Sequence, residues 1–211
     1  MRYLQIKLVK LAVYTNPKQE MLQIIDEIMS EPSPIKEMLY DQIKSISEQK
    51  IQVEISKNKT ADLIRHITNN CYPKITKLNG DQHENFEAFA ESLMHYLLTN
   101  ALIPSQRKVT LKAVEIDIVI PDVRTLGSSP KDALVIFFPK TKNLGRILES
   151  LKKIEAIQPI KENIWLVQKT SLGLQHKTYE IDSGCSFANM INDITAFCAS
   201  KTQSKFKIFK V

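Results

Sequence analysis

The chain has 211 residues, of which 43% are hydrophobic and 25% are charged. These values suit one or two globular domains with a sizeable core and exclude an intrinsically disordered chain. The formal net charge is +6 and the pI about 9.1, which permits an anionic partner without identifying it. No apolar run approaches the roughly 20 residues that span a bilayer. The N-terminus also lacks a signal-peptide pattern, so we expect a cytoplasmic protein with no membrane partner.

The three cysteines, Cys71, Cys185 and Cys198, are far apart in the sequence and none belongs to a CxxC pair. This spacing argues against a structural zinc site. We expect buried small side chains, and the disulfide state of the three residues stays open at this point.

The N-terminal third combines helical and strand-like patterns. Helices are expected after Asn16-Pro17 and Ser33-Pro34, because a capping residue followed by proline is typical of a helix start. The predicted elements are a strand over residues 3–14, these two helices, a short strand over Ile51–Ile55, and a helix from Thr60 to about Asn69. This third carries no concentrated chemistry. We therefore predict an accessory or dimerisation region over residues 1–80 and the functional core over residues 81–211.

A break over Tyr72–Gln82, which contains Pro73 and Gly80, precedes the longest predicted helix, Glu84–Asn100. The residues expected on its buried face are Phe86, Phe89, Ala90, Leu93, Met94 and Leu97. Glu87 and Glu91 are four residues apart, so they stack on one face that borders this apolar stripe.

Two apolar strands follow the helix, and charged residues lie within the first and just after the second. The first strand is predicted over Lys108–Ile120 and includes Asp117, and Arg124–Lys131 has a turn composition. The continuous apolar run Ala133–Phe138 is typical of a strand that is covered on both faces. Lys140 follows this run. Charges near buried strands require partners or a metal, because an unpaired buried charge is costly.

The last 70 residues alternate helices and strands. The predicted elements are a helix capped by Asn143, a central parallel strand over Asn163–Val167, a strand over Lys177–Ile181, a helix after Ser183-Gly184, and an edge strand over Phe206–Phe209. Such an order is typical of an α/β protein with a mixed sheet flanked by helices.

An acid on the long helix, an aspartate on the next strand and a lysine after the following strand occur here in the order Glu87, Asp117, Lys140. Over about residues 83–170, this order resembles the PD-(D/E)XK nuclease superfamily, and within it the archaeal Holliday junction resolvases. The chain also looks like the nucleases of archaeal spindle-shaped viruses. The resemblance implies a restriction-endonuclease-like mixed sheet flanked by helices, with a mostly helical N-terminal extension.

The resemblance also implies an activity, which is metal-dependent hydrolysis of DNA phosphodiester bonds. The DNA would be branched, as in a Holliday junction, and the enzyme would act in replication, repair or recombination. We expect a homodimer, because two-fold symmetry supplies one site for each strand. In a viral context the location would be the host cytoplasm.

The residues that match the family motif are Glu87, Asp117 and Lys140. They are expected to form the catalytic set, with Mg²⁺ or Mn²⁺ held by Asp117 and Glu87, because Mg²⁺ prefers oxygen ligands. The sequence departs from the pattern at Phe138, where the family has a second metal-binding acid. Glu115 is the best candidate to replace it, because it is expected on the same face of the strand as Asp117. Either Glu115 or Glu91, which lies one turn beyond Glu87, is expected to line the same pocket. In a shifted register Asp122 would take the place of Asp117, but we rank Asp117 first because Asp122 has the character of a turn residue.

Two other interpretations remain open. Phe138 in the place of an acid also suits a catalytically degenerate nuclease-fold protein that binds DNA. Each charged residue also has an ordinary explanation, since glutamates are common on solvated helix faces and Asp117 or Glu115 could pair with a nearby lysine on the sheet. On that interpretation the chain is an α/β protein without a nucleic-acid role. The sequence contains no P-loop, GxGxxG, HExxH or GxSxG motif.

Overall fold

A computed structural model describes residues 33–182 and 186–206, with side chains described through residue 201. Contacts divide the chain into two units, Met1–Pro34 and Ile35–Val211, and the architecture below is that of the second unit. The predicted strand over residues 3–14 and the predicted helix from Asn16 lie outside the described residues.

The described residues form seven α-helices and five β-strands. In chain order these are α1 (Pro34–Ile46), α2 (Glu48–Ser56), α3 (Thr60–Ile75), α4 (Gln82–Asn100), β1 (Gln106–Leu111), β2 (Val114–Ile120), α5 (Val123–Ser128), β3 (Leu134–Phe137), α6 (Leu144–Glu155), β4 (Ile164–Gln168), β5 (Lys177–Glu180) and α7 (Met190–Phe206). None of these helices is both long and apolar enough to cross a membrane.

The five strands form one mixed sheet in the order β1-β2-β3-β4-β5. β1, β2 and β3 pair antiparallel, whereas β3, β4 and β5 run parallel to one another. Helix α6 connects β3 to the parallel strand β4, as a βαβ unit requires. The carboxyl ends of β3 and β4 therefore lie side by side at one edge of the sheet.

Helices cover both faces of the sheet. On one face, buried residues of α1, α3, α4 and α7 share a core with strand residues such as Ile118 and Ile136. On the other face, Leu126 of α5 and Ile147 of α6 pack with Val119 and Val135. The predicted α/β class, with a mixed sheet flanked by helices and a helical N-terminal region, is confirmed. The functional boundary at residue 80 stays a prediction.

Helix α2 corrects the strand predicted over Ile51–Ile55. Its apolar residues alternate as in a strand, but Ser47 accepts a hydrogen bond from the N–H of Lys50 and thereby caps a helix. Of this stretch, Ile51 is fully buried and Val53 is 43% exposed. Packing of one helix face therefore overrides the two-residue periodicity.

Three other boundaries differ from the sequence pattern. Helix α3 continues through Pro73 to Ile75, because Cys71 and Ile75 are fully buried and anchor its last turn. The predicted long strand Lys108–Ile120 is the β1–β2 hairpin, with Lys112 and Ala113 at its turn in left-handed backbone conformations. Asp122 starts the short helix α5 where a simple turn was expected.

The C-terminal prediction is also corrected in part. Phe206 is the last residue of α7 and not the start of an edge strand, because the helix that begins at Met190 continues through it. Residues 207–211 lie outside the described part. Cys71 is buried and Cys198 is half-buried, and no disulfide joins the two. Cys185 lies outside the described residues.

The β1–β2 ladder is irregular beside Asp117. Arg107 pairs with Ile118 and Val109 pairs with Ile116, so Lys108 lies opposite Asp117, yet this pair is absent from the ladder. Lys108 has a φ of 49°, in the left-handed region. Ile116 and Ile118 consequently pack on opposite faces of the sheet, although residues two apart on a regular strand share a face.

Candidate active site

Four charged residues meet at the edge where β3 and β4 end. Glu87 and Glu91 come from α4, Asp117 from β2, and Lys140 from the segment after β3. The carboxyl ends of parallel strands in α/β sheets are the usual place for ligand sites. We call Glu87, Glu91, Asp117 and Lys140 the acidic cluster.

Glu87 is held by two backbone N–H groups. Its side chain is almost fully buried, with 1% of the residue exposed. Its Oε2 accepts a hydrogen bond from the N–H of Lys140, and its Oε1 accepts one from the N–H of Lys169 at 3.2 Å. Lys169 directly follows β4, and Lys140 lies in the segment just after β3, so Glu87 ties the ends of two neighbouring parallel strands to helix α4.

Asp117 and Lys140 contact each other across the end of β3. Asp117 Oδ2 accepts a hydrogen bond from the N–H of Phe138 at 2.9 Å, and its Oδ1 lies 3.5 Å from Lys140 Nζ. Lys140 has a φ of 54°, a left-handed conformation that is uncommon for lysine. This backbone conformation accompanies the contact of its N–H with Glu87 and of its ammonium with Asp117.

Two further ion pairs, both to Glu91, extend this cluster into a network that includes Arg107. Lys140 Nζ lies 2.6 Å from Glu91 Oε2, and Arg107 Nε on β1 donates to Glu91 Oε1 at 2.7 Å. The Glu91 side chain is 3% exposed and that of Arg107 is 14% exposed. Arg107 was not identified from the sequence. Its role depends on the hairpin register, and no local motif marks it.

The surroundings of the two acids Glu87 and Asp117 disfavour their ionised forms. Burial raises the pKa of Glu87 to about 7, although the N–H groups of Lys140 and Lys169 oppose this shift. Burial also raises the pKa of Asp117, against the opposing charge of Lys140 and the N–H of Phe138. Each of these two carboxyl groups thus holds its proton to a higher pH than in water.

The paired members of the network behave in the opposite way. Burial alone would raise the pKa of Glu91, but the charges and hydrogen bonds of Arg107 and Lys140 lower it below its ordinary value. Burial alone would lower the pKa of Lys140, but Asp117 and Glu91 raise it. Lys140 therefore stays protonated at neutral pH. When every group is ionised, the carboxylates of Glu87, Glu91 and Asp117 exceed the two cations, Lys140 and Arg107, by one negative charge.

Two predicted acids lie apart from the acidic cluster. Glu115 is exposed on β2 and takes no part in the hydrogen bonds and ion pairs that join the members of the acidic cluster. Asp122 accepts a hydrogen bond from the N–H of Thr125 at 2.7 Å and caps α5. Of Glu115 and Glu91, which were expected to line the pocket, Glu91 is the one that the structure brings into the cluster.

Phe138 occupies a buried position in the core that includes α4, with 1% of the residue exposed. Its side chain lies on the same side of the sheet as that of Ile136, towards the helix that carries Glu87 and Glu91. An aromatic ring is therefore present where the resolvase pattern has a carboxylate. The ring supplies no metal ligand and keeps this side of the cluster apolar.

The donor set fits a cation that needs few protein ligands. In the described part of the chain, no three His, Cys, Asp or Glu side chains gather as a metal-binding group. Glu87 and Asp117 are nevertheless two carboxylates that both contact Lys140 and keep acceptor capacity beyond their present hydrogen bonds. Mg²⁺ is commonly held by one or two carboxylates and several waters. Glu87 and Asp117 suit that arrangement and not a fully protein-coordinated ion.

Comparisons with known proteins give no relative. No family model, curated protein or solved structure matches the chain.

Proposed function

We propose that this protein is a metal-dependent nuclease that hydrolyses phosphodiester bonds in DNA. The observation that carries the proposal is that Glu87, Asp117 and Lys140 meet at one edge of the sheet. Lys140 contacts both acids, although it is 53 residues from Glu87 and 23 residues from Asp117 in the sequence. Burying acids with an excess of negative charge costs stability, and such a cost is typical of functional sites. The net charge of +6 is compatible with a nucleic-acid substrate.

The roles of the residues follow from their contacts. Asp117 and Glu87 would hold Mg²⁺ or Mn²⁺, which when bound offsets charge on phosphoryl oxygens and favours ionisation of a bound water. Lys140 supplies the hydrogen-bond donor and the positive charge of the site. Because its pKa is raised, its ammonium stabilises negative charge on the reacting phosphate and orients water, and it does not act as a general base.

Glu91 and Arg107 would act as positioning residues. Glu91 binds Lys140 on one oxygen and Arg107 on the other, so it fixes the ammonium next to Asp117. A buried, fully paired carboxylate of this kind restricts the rotamers of a long lysine side chain. Glu91 adds a third carboxylate to the cluster, but its bonds to Lys140 and Arg107 indicate a role in orienting Lys140 more than in binding a cation.

A second function is favoured by Phe138. A nuclease fold that has exchanged a metal-binding acid for a buried phenyl ring could bind DNA without cutting it. On this alternative, the acidic cluster would be a structural ion-pair network, and DNA binding would be salt-sensitive and independent of divalent ions. The homodimer and the preference for branched DNA are further parts of the proposal that the same experiments address.

Cleavage assays on matched variants distinguish these functions. Labelled four-way junctions and duplexes of the same sequence are incubated with Mg²⁺, Mn²⁺ or EDTA. We expect metal-dependent cleavage by the wild type and a loss of at least about 100-fold in Asp117→Asn, given the usual size of such electrostatic contributions. Glu115→Gln is the control, because Glu115 is an exposed acid on the same strand.

The outcomes separate the two candidates. Equal cleavage by the wild type and Asp117→Asn would exclude Asp117 from the reaction and point to a contaminating nuclease. Salt-sensitive DNA binding without cleavage in any metal would favour the degenerate nuclease fold. Absence of DNA binding at low salt would refute both proposals. Sedimentation analysis of the wild type with and without DNA tests the homodimer.

A further inference from the structure

A depression of about 360 Å³ opens beside Lys140. It lies between the first turn of α4, the segment that follows β3, and one face of α6. Its polar lining includes Glu84, Lys140, Thr141, Arg146 and Ser150. Its volume lies in the range of about 300–1,000 Å³ that is typical of ligand pockets. The depression adjoins the acidic cluster through Lys140 but contains none of its carboxylates.

Arg146 supplies the positive charge of this depression. Lys140 also lines it, but its ammonium is bound to Glu91 and Asp117. Arg146 is exposed on α6, and no ion pair ties it to a carboxylate within residues 33–182 and 186–206. Ser150 is four residues further along the same helix, so its hydroxyl lies on the same face as Arg146. The depression therefore combines a guanidinium with hydroxyl groups.

We infer that this depression binds a backbone phosphate of the DNA strand, adjacent to the phosphodiester that meets Lys140. The inference rests on the proposed function and adds a second contact to it. Arginine presents several N–H donors in a fork that matches phosphate oxygens. A contact of this kind fixes the register of the strand without reading its sequence. Arg146 would thus position the strand so that one particular linkage reaches the acidic cluster.

Glu84 makes the inference sharper because its charge has the opposite sign. It is exposed on the rim of the same depression, where it repels a phosphate through solvent. Removing the charge of Arg146 should therefore weaken DNA binding, whereas removing the charge of Glu84 should strengthen it. A general loss of folding would move both variants in the same direction.

The test measures DNA affinity without cleavage. Fluorescence anisotropy with labelled junction and duplex DNA in EDTA compares the wild type with Arg146→Gln, Glu84→Gln and the control Arg124→Gln. Arg124 is an exposed arginine on α5 that does not line the depression. We expect about tenfold weaker binding for Arg146→Gln and about twofold to fivefold tighter binding for Glu84→Gln. Arg124→Gln should match the wild type.

The salt dependence gives a second, independent result. Loss of one phosphate contact should reduce the slope of log K against log salt by about 0.9 on duplex DNA. A neutral methylphosphonate can replace one phosphate of the DNA at a time. At one position it should weaken DNA binding by the wild type and leave DNA binding by Arg146→Gln unchanged. This non-additivity would assign the contact to one phosphate.

The failures of the two proposals are distinguishable. If the wild type binds DNA and Arg146→Gln matches Arg124→Gln in affinity and salt slope, the phosphate site is refuted while the proposed function stands. If the wild type does not bind DNA at low salt, the proposed function fails and the phosphate site fails with it. An unchanged or weaker DNA affinity of Glu84→Gln would contradict the assignment of the depression to a phosphate.

Discussion

The buried Glu87 gives a prediction that tests the acidic cluster without any assumption about activity. Its pKa is raised from 4.5 to about 7. A raised pKa in the folded state contributes stability that is fully present below pH 4.5 and is lost as the pH rises through 7. The full difference amounts to about 3 kcal/mol in the free energy of unfolding, since one pKa unit corresponds to about 1.4 kcal/mol.

The perturbation is Glu87→Gln, which removes the titration and nearly keeps the volume. The glutamine leaves one backbone N–H, of Lys140 or Lys169, without its carboxylate acceptor, at a cost that does not depend on pH. The informative quantity is therefore a double difference. Between pH 5 and pH 8, the stability of Glu87→Gln relative to the wild type should increase by about 2–3 kcal/mol.

The assay is urea unfolding in EDTA, followed by the fluorescence of Trp165. This residue is the one tryptophan of the sequence and is 4% exposed, so its emission reports on the sheet. Glu115→Gln serves as the control, because it removes an exposed acid from strand β2. A double difference of zero, or one of opposite sign, would refute the claim that burial outweighs the N–H donors at Glu87.

Divalent metal extends the same experiment to the proposed cofactor. A cation at Glu87 and Asp117 favours their ionised forms, so Mg²⁺ should flatten the pH profile of the wild type by stabilising it at pH 8. The stabilisation would reach about 2.7 kcal/mol at 100 times the dissociation constant. The profile of Glu87→Gln should respond much less. An equal response of both proteins would place the ion elsewhere.

Two further predictions concern the cations of the network. Lys140→Met leaves Glu91 and Asp117 short of a partner, so it should lower the free energy of unfolding by about 2 kcal/mol at pH 7. This is less than for a fully buried pair, because 30% of the lysine side chain is exposed. Lys142→Met, at an exposed lysine, is the control, and equal urea midpoints for the two variants would contradict the prediction. Arg107→Met should cost about 3 kcal/mol at pH 7 and less at pH 4, because the lowered pKa of Glu91 gives stability that is lost as the pH falls. The double variant of Arg107→Met and Glu91→Gln should recover part of this loss of stability. Strict additivity of the two substitutions in a double-mutant cycle would show that Arg107 and Glu91 are not coupled.

The sequence alone determined the class of fold and the elements that carry the site. The long periodic segments α4 and α6 were predicted, because an amphipathic helix repeats its pattern over several turns, and the cap of α6 at Asn143 was predicted with it. The cap of α4 at Asp81 was not predicted. The buried strand β3 was evident from its continuous apolar run. The order of Glu87, Asp117 and Lys140 on these elements was also available, since the acid, the aspartate and the lysine each lie on a clearly marked segment.

Short segments were decided by tertiary packing. The stretch around Ile51 reads as a strand by periodicity but folds as α2, because a cap at Ser47 and burial of one face outweigh a five-residue pattern. Pro73 reads as a break but lies inside α3, since the buried residues around it compensate for one missing backbone donor. Neither outcome is visible without the neighbouring helices.

The composition of the site also required the tertiary structure. Glu115 was expected beside Asp117 because strand residues alternate, yet Glu115 is exposed and takes no part in the hydrogen bonds and ion pairs of the cluster. Arg107 has no motif of its own and joins the network through the register of the hairpin. Sequence patterns record periodicity within one element, whereas the partner of a charge depends on how separate elements meet. For that reason the chain itself indicated which acids and which lysine to consider, and the packing of α4 against the end of the sheet decided which of them contact one another.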